Sequence, residues 1–234
     1  MRMSAQEAAL HFVRQRFPDC RVAILSGSAA AGMETERSDL DLVIVDDSQH
    51  RPFRASFKEF GWPVEVFVMT SDTAEFLFEM NAASANPSLQ RMVASGIVIR
   101  DDGTAGELIG RAKEMLDLGP EAWTEEERNE ARYTITELLE DLAGSASREE
   151  DLFTVNRLAG LLAEFVTRVR GCWYGEGKWA ARSLQACDED FYRRFLQALE
   201  LFYRKGEKEA LAALADAVLE PYGGRLFEGF MQEG

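Results

Sequence analysis

Along the first half of the chain the apolar positions change period several times, and each change marks an element. Residues 4–16 carry Ala8 and Phe12 on one helical face, with Ala5 and Ala9 as further candidates for it. Cys20 to Leu25 is a short apolar run that reads as a buried strand, and the small residues Gly27 to Gly32 follow, with a short helix opening over 28–31. Asp39 to Val45 reads as a second strand, ended by Asp46-Asp47-Ser48. Residues 52–59 and 63–69 form a hairpin around Phe60-Gly61-Trp62, its second arm Val64-Glu65-Val66-Phe67-Val68 rich in strand formers. Ser71 or Asp72 caps a helix to about Asn81, Pro87 opens another to Ser95, and Gly96 stops it. Ile97-Val98-Ile99 is a strand or extended link, and 104–117 is helical. Gly119-Pro120 is the strongest break in the sequence.

Beyond that break the two-residue period disappears. Thr124 ahead of Glu125, Glu126 and Glu127 resembles a capping box. Helical spacing predicts helices over 125–143, 148–171, 178–186, 189–204 and 207–219. The expectation is an α+β protein in two domains. Residues 1–119 form a small mixed β-sheet with flanking helices, and residues 120–234 an all-α helical bundle.

Charge narrows the partners. The net charge is −15, of which −6 falls in residues 1–119 and −9 in the remainder. Neither half is built to hold a nucleic-acid backbone. A cationic or neutral small substrate suits such a field, and solubility alone accounts for it equally well. No apolar run is long enough to span a bilayer, and the amphipathic N-terminus lacks the apolar core of a secretory signal. Cys20, Cys172 and Cys187 are odd in number and lack a CxxC spacing, so they read as reduced thiols in a cytoplasmic protein. His11 and His50 alone leave a histidine triad or a His/Cys zinc site hard to assemble. The expected state is a monomer or homodimer.

The candidate chemistry sits at Gly27-Ser28 and Ser38-Asp39-Leu40-Asp41-Leu42. In an extended strand Asp39 and Asp41 share a face with Cα atoms roughly 6.5–7 Å apart, while Leu40, Leu42 and Ile44 face a core. Two carboxylates about 5 Å apart repel by roughly 3 kcal/mol at an effective dielectric of 20, a cost that a hard divalent cation removes. Gly27 permits close approach of the backbone, and Ser28 offers a hydroxyl and an N–H. Glu65 shares a strand face with Phe67, and reaches the same pocket if the hairpin pairs beside 39–45. Each feature has an ordinary reading too: a turn, a solvated acidic face, an edge-strand glutamate. Read together they suit nucleotidyl transfer, with Asp39, Asp41 and Glu65 as metal ligands or base and Gly27, Ser28 and Ser38 on the nucleotide.

Gly27-Ser28, ten residues, then Asp39-Leu40-Asp41, with a later strand acid, resembles the signature of the DNA polymerase β-like nucleotidyltransferase superfamily. The match covers residues 20–69. A small transferase domain followed by a helical bundle is similar to the bacterial antibiotic nucleotidyltransferases, the aminoglycoside and lincosamide types among them. That resemblance implies Mg2+, with two ions, a nucleoside triphosphate such as ATP as co-substrate, and a small-molecule hydroxyl as acceptor. It makes Glu65 the base. Through the segment from Arg168 to Ala181 it makes Lys178 a phosphate contact and Arg168 a second one, although their spacing is shorter than in that group. The cleft between the domains would hold both substrates. Glu137 and Asp141, four apart on one helix, are candidates for the acceptor pocket with Trp173, against the plainer reading of a solvated face. Arg51 and Arg54 flank the hairpin and could approach phosphates, but are not counted among the site residues. Two other readings stay open: a protein-modifying, antitoxin-like transferase that adenylylates a partner, and a non-catalytic nucleotide-binding relative.

Overall fold

The structure, a computed structural model, describes residues 2–231. The chain forms two compact units, Met1–Gly119 and Pro120–Gly234.

In the first unit the order is α1 (Ala5–Arg16), β1 (Val22–Ser26), the single turn α2 (Gly27–Ala30), β2 (Leu40–Val45), β3 (Phe53–Glu59), β4 (Trp62–Met69), α3 (Ser71–Ala83), α4 (Ser88–Ser95), β5 (Ile97–Asp101) and α5 (Ala105–Leu118). The five strands make one mixed sheet in the order β3-β4-β2-β1-β5. β2 and β4 run parallel, and every other pair is antiparallel. Phe60 and Gly61, at φ 55° and 81°, make the two-residue hairpin turn whose positive φ values match strand twist. Trp62 therefore begins β4 rather than belonging to the turn.

Strand parity builds two cores. Ala23, Leu25, Leu40, Leu42, Ile44, Val64, Val66 and Val68 pack with Ala8, Ala9 and Phe12 of α1. Val22, Ile24, Val43, Val45 and Met69 pack on the opposite face with Phe78 of α3, Val93 of α4 and Ala112 of α5. β1 and β2 are buried on both faces, which is why they read as unbroken apolar runs. The cap of α3 falls at Thr70, ahead of the expected Ser71 or Asp72, where Thr73 Oγ1 accepts from the Thr70 N–H at 3.0 Å. The extended link at 97–99 is a true edge strand paired with β1.

The second unit is helical: α6 (Glu125–Gly144), α7 (Arg148–Val169), α8 (Lys178–Cys187), α9 (Glu189–Lys205) and α10 (Glu209–Leu219), closed by a 3-10 turn at Glu220–Tyr222. Its core joins Ile135, Leu139, Leu158, Phe165, Phe191, Phe202 and Leu211. Thr124 and Glu127 form the capping box of α6, with the Thr124 N–H donating to Glu127 Oε2 at 2.7 Å and the Glu127 N–H to Thr124 Oγ1 at 3.1 Å. No helix among the described residues is long and apolar enough to cross a membrane.

The reading of three reduced thiols is corrected. Cys172 and Cys187 form a disulfide, with Cα atoms 6.0 Å apart across 15 positions. The turn after α7 reverses the chain so that the last residue of α8 returns beside Cys172, a neighbourhood that cysteine spacing alone does not reveal. Cys20 remains a free, buried thiol, and burial pushes its ionisation up.

Candidate active site

The sheet's hydrogen-bond register assembles the first unit's site. Asp41 of β2 lies opposite Ser26 of β1 on one side and Glu65 of β4 on the other, and Glu65 lies opposite Ser56 of β3. One row thus crosses four strands, with adjacent backbones about 4.8 Å apart. By the alternation of the strands, Asp41 and Glu65 share the face of Val43 and Phe67. Ser26 is buried, and Asp41 and Glu65 are half-buried.

Gly27 completes the end of that row. Its φ is +70°, and a Cβ built there would stand 2.2 Å from Asp41 Oδ2. The carboxylate thus occupies the space that any side chain at position 27 would need. Ser28, half-buried in α2, donates from its Oγ to Ser38 Oγ at 3.0 Å. Ser38 Oγ also accepts from the Thr35 N–H at 2.9 Å, and Arg2 donates to the carbonyls of Thr35 and Ser38 at 3.0 and 2.6 Å. These contacts pin the loop between α2 and β2 and fix the approach to Asp39.

Asp39 itself stands one residue outside β2 and is exposed. Among the described residues no group of three or more His, Cys, Asp or Glu side chains stands close enough to hold a metal ion. The sheet therefore brings Gly27, Asp41 and Glu65 together, with Ser28 and Ser38 beside them, and leaves Asp39 exposed just outside β2.

Sequence reasoning placed Arg54 beside the hairpin as a group that could approach phosphates, and did not place it against Glu65. Its Nη2 donates to Glu65 Oε2 at 2.6 Å, and its guanidinium lies 5.0 Å from the centre of the Phe67 ring. Ser56 Oγ donates to Glu65 Oε1 at 3.4 Å. The Glu65 hydrogen bond, and more distantly Asp41, hold the Arg54 guanidinium above its ordinary pKa. Arg54 faces Phe67 in register and so sits diagonal to Glu65, within reach of a long side chain. Counting back from a two-residue turn at Phe60-Gly61 gives that register. Placing Trp62 in the turn loses it.

The residues present fit a hard cation. Their donors are carboxylate oxygens, and the glycine leaves Asp41 its space. Magnesium is commonly held by one or two carboxylates together with substrate phosphates, so a three-acid cage is not required.

In the second unit Lys178 is the exposed first residue of α8, preceded by Gly177 at φ +55°. Arg168 of α7 is only 5% exposed, yet its Nε and Nη1 have no hydrogen-bond partner, and its guanidinium lies 5.4 Å from the Trp123 ring. Burial raises the pKa of Glu164, one turn before Arg168, against the opposing charge of that arginine. Burial likewise raises Tyr174, helped by Glu164 and Glu176. Glu164 is a further residue that the sequence reading did not single out; its half-buried position one turn from an arginine on α7 is a helical i,i+4 pattern. Glu137 and Asp141 lie one turn apart on an exposed stripe of α6, where Tyr133 Oη donates to Glu137 Oε1 at 3.0 Å. Their neighbour Glu140 pairs with Arg225. Trp173 is half-buried in the link between α7 and α8. The acceptor candidates thus do not share one element.

No protein-family model matches the chain. No curated protein matches it either. Among solved structures it is similar to a nucleotidyltransferase-like protein from Exiguobacterium sibiricum 255-15, at 14% identity and a TM-score of 0.48, over 92% of this chain and 73% of that one. No residue's role is transferred from it.

Proposed function

We propose that this protein is a magnesium-dependent nucleotidyltransferase that moves a nucleoside monophosphate, AMP in the preferred reading, from a triphosphate to a hydroxyl of a small molecule. The observation that carries the reading is the register pair Asp41 and Glu65 with Gly27 packed against the Asp41 carboxylate. A structural strand gains nothing from two carboxylates side by side at a sheet end. A site for a polyphosphate and its counter-ion does.

Asp41, with exposed Asp39 just outside β2, holds the cation. Magnesium, when bound, screens the triphosphate charge and that developing at the reacting phosphorus. The Gly27-Ser28 turn and the hydroxyls of Ser28 and Ser38 take phosphate oxygens. Glu65 accepts the proton as the acceptor oxygen bonds to the α-phosphorus and the bond to pyrophosphate breaks. Within the second unit, exposed Lys178 and buried Arg168 are the cations proposed for a phosphate. The unpartnered nitrogens of buried Arg168 suit an anion. An aminoglycoside-like acceptor suits the overall acidity, with Glu137, Asp141 and Trp173 as contacts.

The test is pyrophosphate release with each of the four ribonucleoside triphosphates, magnesium, and a panel of aminoglycosides and lincosamides. Acceptor-dependent release is expected. Asp41→Asn should lower it by about 10²-fold to 10³-fold while thermal unfolding stays cooperative. Failure of every triphosphate to react, or wild-type turnover in Asp41→Asn, overturns the reading.

A further inference from the structure

Among the described residues, the cationic group paired with Glu65 comes from an edge strand, and its environment is asymmetric. The Arg54 side chain is 63% exposed and the Glu65 side chain 22%. Glu65 is fixed by its place in β4, between β2 and β3, whereas Arg54 can leave without disturbing the core. It also has somewhere to go. A cavity of about 360 Å³ adjoins it, lined by Phe53, Arg54, Phe67, Leu77, Asn81 and Leu89 among others. The Phe67 ring at its edge already carries the guanidinium at cation–π distance.

From this we infer that Arg54 is the resident counter-ion of the carboxylate pair, a positioning residue that pairs with Glu65 when no divalent cation is bound and swings toward the Phe67 cavity when one enters. The inference rests on the nucleotidyl-transfer reading of the same site. A divalent cation on Asp41 would stand about one strand spacing from Glu65, its register partner, and its charge would repel the guanidinium held there, so cation entry and the Arg54–Glu65 ion pair compete. While the pair stands, Arg54 holds Glu65 Oε2 and Ser56 donates to Oε1, so an acceptor hydroxyl meets a carboxylate whose two oxygens already accept hydrogen bonds beside a positive charge. Arg54 thus ties the availability of the base to the presence of the cation.

The experiment is titration of the nucleotide-free full chain with Mn2+, by calorimetry and by the spin-resonance signal of free Mn2+, in wild type, Arg54→Ala, Arg54→Lys and Asp41→Asn. Arg54→Ala should bind Mn2+ about threefold to tenfold more tightly at low ionic strength, with the gain shrinking as salt is added. Arg54→Lys keeps the charge without the planar fork and should fall between the two. Thermal unfolding checks that each variant is folded. Unchanged or weaker Mn2+ binding in Arg54→Ala overturns the inference while leaving the site reading intact. Wild-type Mn2+ affinity in Asp41→Asn overturns the site reading and the inference with it, and no binding by any of the nucleotide-free proteins overturns the inference alone.

Discussion

Gly27→Ala separates a site glycine from a merely conformational one. Gly27 and Gly32 bracket the same short helix, and both hold positive φ, +70° and +65°. An alanine at either position meets the left-handed penalty of about 1–2 kcal/mol. The surroundings differ. At Gly32 nothing lies within 4 Å of the new Cβ, whereas at Gly27 it falls 2.2 Å from Asp41 Oδ2 and 3.2 Å from Asp41 Cγ. Relief requires the carboxylate to move by about 1 Å, since carbon contacts settle near 3.5 Å. An off-rotamer aspartate adds about 0.5–1.5 kcal/mol. Urea unfolding should therefore show both variants destabilised, Gly27→Ala by about 1 kcal/mol more than Gly32→Ala. Turnover should diverge far more. A displacement of about 1 Å in a reacting group costs about 10²-fold, so Gly27→Ala should release pyrophosphate about a hundred times more slowly, and Gly32→Ala at close to the wild-type rate. Equal turnover in the two variants would refute the assignment of Asp41 to the site, because the clash would then have moved a carboxylate of no consequence.

Asp102 accepts from Arg21 Nε at 2.7 Å and from Thr104 Oγ1 at 2.6 Å, and these bonds lower its pKa from 3.8 to about 2. Its folded pKa lies below its unfolded one, so its contribution is complete above about pH 4 and is lost as pH falls toward 2. Thermal unfolding of wild type and Asp102→Asn should differ at neutral pH and converge in acid, and a constant gap would refute the linkage. Arg168→Met should leave the melting temperature of the free protein unchanged or raised, since a buried arginine with unpartnered nitrogens is costly to bury. The same variant should weaken binding of a non-hydrolysable ATP analogue in calorimetry. A lower melting temperature with unaltered nucleotide affinity would make Arg168 structural.

Much of the fold is legible because burial is uneven. Val22 to Leu25 and Leu42 to Val45 are apolar at every position because helices cover both sheet faces, and such runs stand out. Glu125 to Gly144 announces itself through Thr124 and Glu127. Other features depend on distant partners. Cys172 and Cys187 meet because the turn after α7 returns the chain, and nothing in their spacing says so. Cys20, fully buried within the other unit, stays free.

The site shows the same division, and it explains why the sequence does not place Arg54 against Glu65. Parity along one strand places Asp41 opposite to Leu40 and Leu42, and Glu65 opposite to Val64 and Val66; a single sequence suffices for that. Putting Asp41 beside Glu65 needs the pairing of β2 with β4, which are separated by a whole hairpin. Finding Arg54 needs the hairpin register as well, and that turns on one residue, Trp62, being strand and not turn. A slip of one position would send Arg54 to the other face. Two acids alone ask for a metal; two acids with an arginine on one of them already have a partial answer, worth little in solvent at 63% exposure. A weak, displaceable counter-ion beside a glycine that accommodates one fixed carboxylate leaves that pair available to a stronger cation, a property that a purely structural ion pair at the end of a sheet does not need.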